Sequence, residues 1–228
     1  MADDLTSLSA PSSQHAKSCT ESAESIDVTV RGKPVLKYNK AIQEPPLGMD
    51  LIYRRRGYIH PLYTPSGRVV TGDFAPDHAH QHALFGAFVN TTFKGKRVDF
   101  WNQHSRTGNV SHNDVIDVKS GNDIGSFTVE LLHEAFMSPD HSTAVLKERW
   151  TVQVHATTEP GFVVDIHSTI TCIADSPLTI NKYHYGGMAF RGSNDWVTRE
   201  SEKAINDYIK ASDLGLNLAE PEMDVALH

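Results

Sequence analysis

Residues 77–82 read Asp-His-Ala-His-Gln-His, which gathers three of the chain's thirteen histidines into five positions. An imidazole can take up or release a proton near neutral pH, and its neutral ring nitrogen can also ligate a metal. If the segment is extended, residues two apart point the same way, so His78, His80 and His82 present their rings in a row with neighbours ~6.8 Å apart. His78 and His80 could then converge on a divalent transition metal at ~2.1 Å. The outer pair would stand ~13 Å apart and could not share an ion unless the backbone bends. A mononuclear site needs a further ligand, for which His104, His112, Glu148 and His184 are available. Two readings without metal stand beside this one: hydrogen bonding to an organic ligand, and a structural polar cluster.

Glu148 is the next chemical candidate. Alternation along its segment puts it on the same face as Trp150, Val152 and Val154. A carboxylate on an apolar face must pair, bind a ligand, or carry the raised pKa that suits a general acid or base. The simplest pairing is an ion pair with Arg191 or Lys182. His184 lies between Tyr183 and Tyr185 and just before Gly186-Gly187, a composition that suits either an aromatic binding rim or packing at a strand end. Trp101 follows Phe100 at the end of a strand and is placed to stack on a ring ligand, whereas alternation assigns Trp150 to the core. No Gly-rich phosphate loop, nucleophile elbow or Cys-His pairing of recognisable form occurs.

Short strands separated by turns must position these residues. A hairpin is predicted from 26–30 through Arg31-Gly32-Lys33 into 34–38. Residues 84–93 are apolar on both parities except 90–92, which suits a strand covered on both faces. That strand turns at Lys94-Gly95-Lys96 into 98–101. Three later segments alternate cleanly, with Phe127, Val129, Leu131 and His133 on one face, Glu148 to Val154 on the next, and Phe162, Val164, Ile166, Ile170 and Cys172 on a third. A fourth starts at Leu178 and Ile180, and its parity runs on to Lys182 and His184. Strands of roughly ten residues in a meander predict an all-β fold, an antiparallel β-sandwich. One helix is predicted over 201–210, capped by Ser201, with Ala204, Ile205, Tyr208 and Ile209 on one side. The expected organisation is a disordered tail over 1–25, whose removal should leave stability unchanged, a sandwich over 26–200 and a divergent helical segment over 201–228.

Hydrophobic residues at 39% and charged residues at 21% are those of an ordinary globular chain. A net charge of -7 with scattered Lys and Arg argues against nucleic acid as a partner. No apolar run is long enough to span a bilayer and no secretory signal is read at the start, so no membrane partner and a cytoplasmic location are expected. Two cysteines, Cys19 and Cys172, cannot build a disulfide framework or a Cys-rich zinc site.

From about Gly32 to Trp196 the sequence resembles a soluble bacterial family of unknown function often labelled methane oxygenase PmoA. The likeness rests on Tyr58-Ile59-His60-Pro61-Leu62-Tyr63-Thr64-Pro65-Ser66-Gly67, the 77–82 cluster, Asp99-Phe100-Trp101 and Gly187-Met188-Ala189-Phe190-Arg191, in that order. It implies a sandwich similar to the galactose-mutarotase-like superfamily, whose members bind sugars in a concave sheet and use His and a carboxylate for acid and base steps. His60, Asp77, His78, His80, His82, Glu148 and Arg191 fall in the family's characteristic segments. After Trp196 the likeness stops where that family continues, and the ending reads as truncated.

The expectation that follows is a carbohydrate-active or carbohydrate-binding protein, with a non-catalytic sugar-binding module and a His-ligated metal-dependent oxidoreductase as alternatives. Its catalytic candidates are His78, His80 and Glu148. Its binding candidates are His60, Asp77, His82, Trp101, His184 and Arg191. No cofactor is expected; the alternative is a divalent transition metal on His78 and His80. The expected partner is a small-molecule sugar or sugar derivative. A sandwich lacking its last strands would also expose a sheet edge, to be covered by the 201–210 helix or by self-association.

Overall fold

The computed structural model describes residues 17–138, 140–155 and 161–196. Their strands, in chain order, begin with β1 (Lys17–Glu21), β2 (Ser25–Val30), β3 (Lys33–Asn39), β4 (Tyr58–Leu62) and β5 (Leu84–Ala87). There follow β6 (Thr91–Phe93), β7 (Lys96–Val98), β8 (Gly108–Lys119), β9 (Ile124–Ser138) and β10 (His141–His155). The last are β11 (Val163–Cys172), β12 (Leu178–Ile180) and β13 (Gly187–Phe190). Helix among the described residues is confined to three-residue 3-10 turns such as Leu51–Tyr53 and Gln103–Ser105.

The strands form a six-stranded sheet in the order β1-β2-β3-β4-β5-β13, a four-stranded sheet β11-β10-β9-β8 and a small sheet β12-β6-β7. Neighbours pair antiparallel throughout. The hairpins β2-β3 and β6-β7 close through Arg31-Gly32 and Lys94-Gly95, all four residues at φ between 47° and 75°. That conformation matches the right-handed twist of paired strands and is why glycine stands second in each turn.

The apolar faces read for β9 and β10 meet the six-stranded sheet in the core, whereas on β11 Val164 and Ile166 are half-buried and Ile170 and Cys172 are exposed. Tyr38 of β3 lies 5.6 Å from the ring of Phe127 on β9, and Trp150, Val129 and Leu131 are almost wholly shielded from water. Each such side chain contributes roughly 1.5–3 kcal/mol through burial. Opposite Trp150 stands Gly86 of β5, where an added Cβ would come within 3.2 Å of the indole. This is the all-β antiparallel sandwich that the alternation implies.

Three local expectations change. The apolar run 84–93 is not one strand: it divides into β5, in the six-stranded sheet, and β6, in the small sheet, so its two apolar parities belong to two different surroundings. The strand at Leu178 ends at Ile180 and does not carry its parity to Lys182 and His184. Ordered chain also begins well before residue 26. β1 pairs with β2 over five residues, Lys17 and Cys19 are buried, and Cys19 N–H donates to Ser120 Oγ at 3.0 Å. Its polar composition hid it, because the apolar stem of Lys17 does the covering while its ammonium donates to the Asn122 carbonyl. The tail over 1–16 and the 201–210 helix lie outside the described residues.

Deleting residues 1–24 removes this ladder and uncovers the β2 edge. The expected loss is about 2 kcal/mol, or ~4–8 °C in melting temperature for a chain of this size. An unchanged thermal melt of the shortened protein would show that β1 contributes nothing.

Candidate functional site

The histidine segment is not extended. It turns between β4 and β5, with His78 N–H donating to Ala75 O at 3.1 Å and Gln81 N–H to His78 O at 2.9 Å. Folding back in this way breaks the expected row of three rings and sends them to two places. His78 and His80 stay together, ring centroids 5.6 Å apart and edge on, with His104 5.4 Å beyond His80. His82 turns into the protein interior and is completely buried. Its Nδ1 lies 2.8 Å from Asp73 Oδ1 and its Nε2 lies 2.9 Å from Gln103 Oε1, while the Tyr58 hydroxyl donates to Asp73 Oδ2 at 2.5 Å. His60 is likewise engaged, its Nδ1 2.9 Å from Thr71 Oγ1. Both His60 and His82 are held by hydrogen bonds within the scaffold, and neither is among the residues that line the cleft beside His78 and His80, where a binding role was expected for them.

What His78 and His80 do line is a cleft of about 340 Å³. Its floor is aromatic, with Phe85 and Trp101 at 4.7 Å and Trp101 and Tyr185 at 5.3 Å between ring centroids. Trp101 lines the cleft from a loop, because β7 ends at Val98 and the strand expected over 98–101 does not form, and its buried Nε1 has no hydrogen-bond partner among the described residues. Asn102, Gln81 and Phe190 complete the walls. Under the floor the fully buried Arg55 sits 4.9 Å over the Phe85 ring and directs Nη2 to the Gly86 carbonyl at 3.4 Å. Burial lowers the pKa of its guanidinium to about 10.

At the rim, Arg191 grips Asp77 through Nη2, 2.6 Å from Oδ1 and 2.8 Å from Oδ2, and reaches Gln81 Oε1 with Nη1 at 3.3 Å. Burial alone would raise the Asp77 pKa, but hydrogen bonds from His78 and Arg191, with the charges behind them, bring it down to about 2. Asp77 is thus a carboxylate at neutral pH. Its Oδ2 lies 3.0 Å from His78 Nδ1, which assigns the proton to that nitrogen and leaves Nε2 as the basic one. His80 differs. Burial, then the positive charges available to His78, His104, His82 and Arg55, lowers its pKa to about 3 and keeps it neutral. Burial also holds the proton on the Tyr185 hydroxyl, a tendency that its hydrogen bond with Asn102 partly offsets.

Glu148 lies elsewhere. It sits on the apolar face of β10 as alternation predicts, yet its partner is His133 Nε2 at 2.7 Å, not Arg191 or Lys182. Trp150 Nε1 and Ser168 Oγ also donate to it, each at 2.6 Å. Burial opposes its ionisation, but the bonds from His133, Ser168 and Trp150 outweigh that and hold its pKa below the ordinary carboxylate value. It faces Gly86 from inside the sandwich and borders a separate hollow of about 80 Å³ with Ser168, Ile170 and Met188. The general-acid role expected of it finds no raised pKa and no place in the cleft. His133 was the missed partner, although it too is the polar exception on an apolar strand face.

His184 is exposed and clusters with Tyr183 (4.4 Å, tilted) and Tyr185 (4.7 Å, edge on), one ring outside the cleft. His112 bonds the Tyr38 hydroxyl at 3.0 Å. Among the described residues, no three His, Cys, Asp or Glu side chains converge as a metal ion would require.

Comparison with protein families decides one matter. The chain belongs to the Family of unknown function (DUF6807). The match covers residues 25–216 and so runs past Trp196, where the likeness seen in sequence had stopped. Comparisons with curated proteins and with solved structures find no match. Membership in this family brings no activity with it. No helix among the described residues is long and apolar enough to cross a membrane.

The neutral His80 makes the cleft acid-sensitive. Its pKa in the folded protein, about 3, lies below the ordinary 6.5, so between those values the unfolded chain binds the extra proton and stability falls as pH falls. His80→Asn should flatten that slope by about one proton, ~1.4 kcal/mol per pH unit, between roughly pH 6 and 4. Urea melts across that range read it directly, and an unchanged slope would refute the assignment.

Proposed function

We propose that the cleft binds a monosaccharide-sized carbohydrate and carries out acid-base chemistry on it, with His78 as the base. The observation behind this reading is the Asp77-His78 pair, fixed by Arg191, opening onto the aromatic floor of Phe85 and Trp101. Apolar ring faces suit the C–H faces of a sugar, and a few polar groups above them suit its hydroxyls. The cleft's volume stands at the low end for small-molecule sites, which favours one ring over a chain of sugars.

In this reading Asp77 keeps His78 in one tautomer, and Nε2 withdraws a proton from a sugar hydroxyl or from a carbon beside a carbonyl. Tyr185 lines the same cleft and is protonated at neutral pH, so it is the hydroxyl available to return one. Such a step is redox-neutral and consumes no oxidant. In epimerisation a C–H proton is removed and one is returned to the same carbon. In ring opening, loss of the anomeric hydroxyl proton forms the carbonyl as the bond to the ring oxygen breaks, and that oxygen takes up the returned proton. The sequence resemblance to PmoA-labelled proteins, which implies a galactose-mutarotase-like sandwich, favours a sugar as substrate. A non-catalytic sugar-binding module is the second reading, favoured by the engagement of Arg191 and Asp77 with each other.

A panel of free, oxidised and 3-keto sugars, scored by calorimetry for binding and by NMR for turnover, separates these. Trp101→Ala should weaken binding roughly 10- to 100-fold through lost stacking and packing. His78→Gln should lower turnover by about 10²-fold or more while binding changes little. Binding without turnover selects the module. The absence of binding across the panel, or turnover indifferent to His78, overturns the proposal.

A further inference from the structure

The four-stranded sheet ends in β8 on one side and β11 on the other, and the two edges are built differently. β8 shifts register twice, at His112/Asp114 and Val115/Asp117, and carries Asp114, Asp117 and Lys119. Bulges and charges of this kind are what keep an edge strand from pairing with another chain. β11 has neither device. It runs in unbroken register along β10 from Leu146↔Cys172 to His155↔Val163, and contains no Pro, Lys or Arg and a single acid, Asp165. Among the described residues no strand pairs with its outer side. Val163 and Ile170 on it are 49% and 41% exposed.

The sequence of β11 is complementary to itself. In an antiparallel pair, directly opposed residues share a face. A two-fold axis normal to the sheet therefore joins the half-buried Val164/Ile166 face to the same face of a second copy only if a residue lies on the axis. An axis at Asp165 would oppose two carboxylates, and one at His167 would oppose two imidazoles. Within its own chain Asp165 Oδ2 lies 2.8 Å from His155 Nε2; an axis at Ser168 sets Asp165 against Thr171 and gives the acid no charged or ring partner across the axis. With the axis at Ile166, that residue meets its own copy and Asp165 faces His167 of the second chain, twice by symmetry.

We propose that β11 is the seam of a two-fold dimer in which the second copy's β11 pairs antiparallel to it about Ile166, joining two four-stranded sheets into one of eight strands. The pairing runs from Val163 to Thr169 on each copy and turns an unprotected edge into an internal pair of strands. The cleft of the proposed sugar site lies outside this seam and plays no part in it.

The full chain tests this. Size-exclusion chromatography with light scattering should give a dimer that dissociates on dilution. In a Cys172→Ser background, Ile166→Cys should form a covalent dimer on mild oxidation. Ser168→Cys should not, because in this register it stands ~14 Å from its own copy, beyond disulfide reach. His167→Asp sets carboxylate against carboxylate and should weaken the dimer at least tenfold, and the swapped pair Asp165→His/His167→Asp should recover it. A monomer at every concentration, or a dimer that crosslinks through position 168 and not 166, overturns the proposal. A dimer indifferent to His167→Asp removes the register.

Discussion

The cleft depends on Arg191 more than on any histidine. Its guanidinium holds the buried Asp77 in the middle of the 72–83 segment, and its backbone holds both ends of that segment. Arg191 N–H donates to Ala83 O at 2.6 Å, and Gly72 N–H donates to Arg191 O at 3.0 Å. One residue just after β13 thus closes a loop more than a hundred positions earlier in the chain. A buried ion pair gains little over an apolar replacement, but losing one partner strands the other charge at a cost of roughly 3–5 kcal/mol. Fixing the loop in this way fixes Asp77 against His78, and so determines which imidazole nitrogen is basic.

A second buried carboxylate does different work. Glu148 accepts from His133, Trp150 and Ser168, and so ties β9, β10 and β11 together inside an otherwise apolar layer. Its environment is nearly complete; the exception is His133 Nδ1, buried without a hydrogen-bond partner among the described residues. An unsatisfied group of that kind costs roughly 1–3 kcal/mol. The two acids thus divide the labour: Asp77 orients a ring at the surface of a cleft, while Glu148 binds strands together beneath it.

Much of this was legible in the sequence because alternation is a local property. The faces of β9 and β10, the two tight hairpin turns and the burial of Trp150 all follow from residue spacing along one strand or one turn. Alternation also placed Glu148 inward, whereas Trp101 reaches the cleft from a loop past the end of β7. β1 escaped notice because its buried length is largely the stem of a lysine, which composition counts as polar.

Partnership was decided only by the tertiary structure. Whether Glu148 meets Arg191 or His133, whether Arg191 meets Glu148 or Asp77, and which of three neighbouring histidines lines the cleft depend on strand order and on the path of a loop. Neither is encoded in the period of a single segment. The turns within 75–81 send His78 and His80 to the cleft and His82 to Asp73, so residues two apart in sequence end in different surroundings. Sequence by itself determined the inward faces of β9 and β10, because alternation is a property of one strand, whereas the burial of Lys17, Cys19 and His82 came only with the fold. Structure decided which side chains touch, because contact between distant segments is set by how the sheets stack and by the loop that Arg191 holds shut.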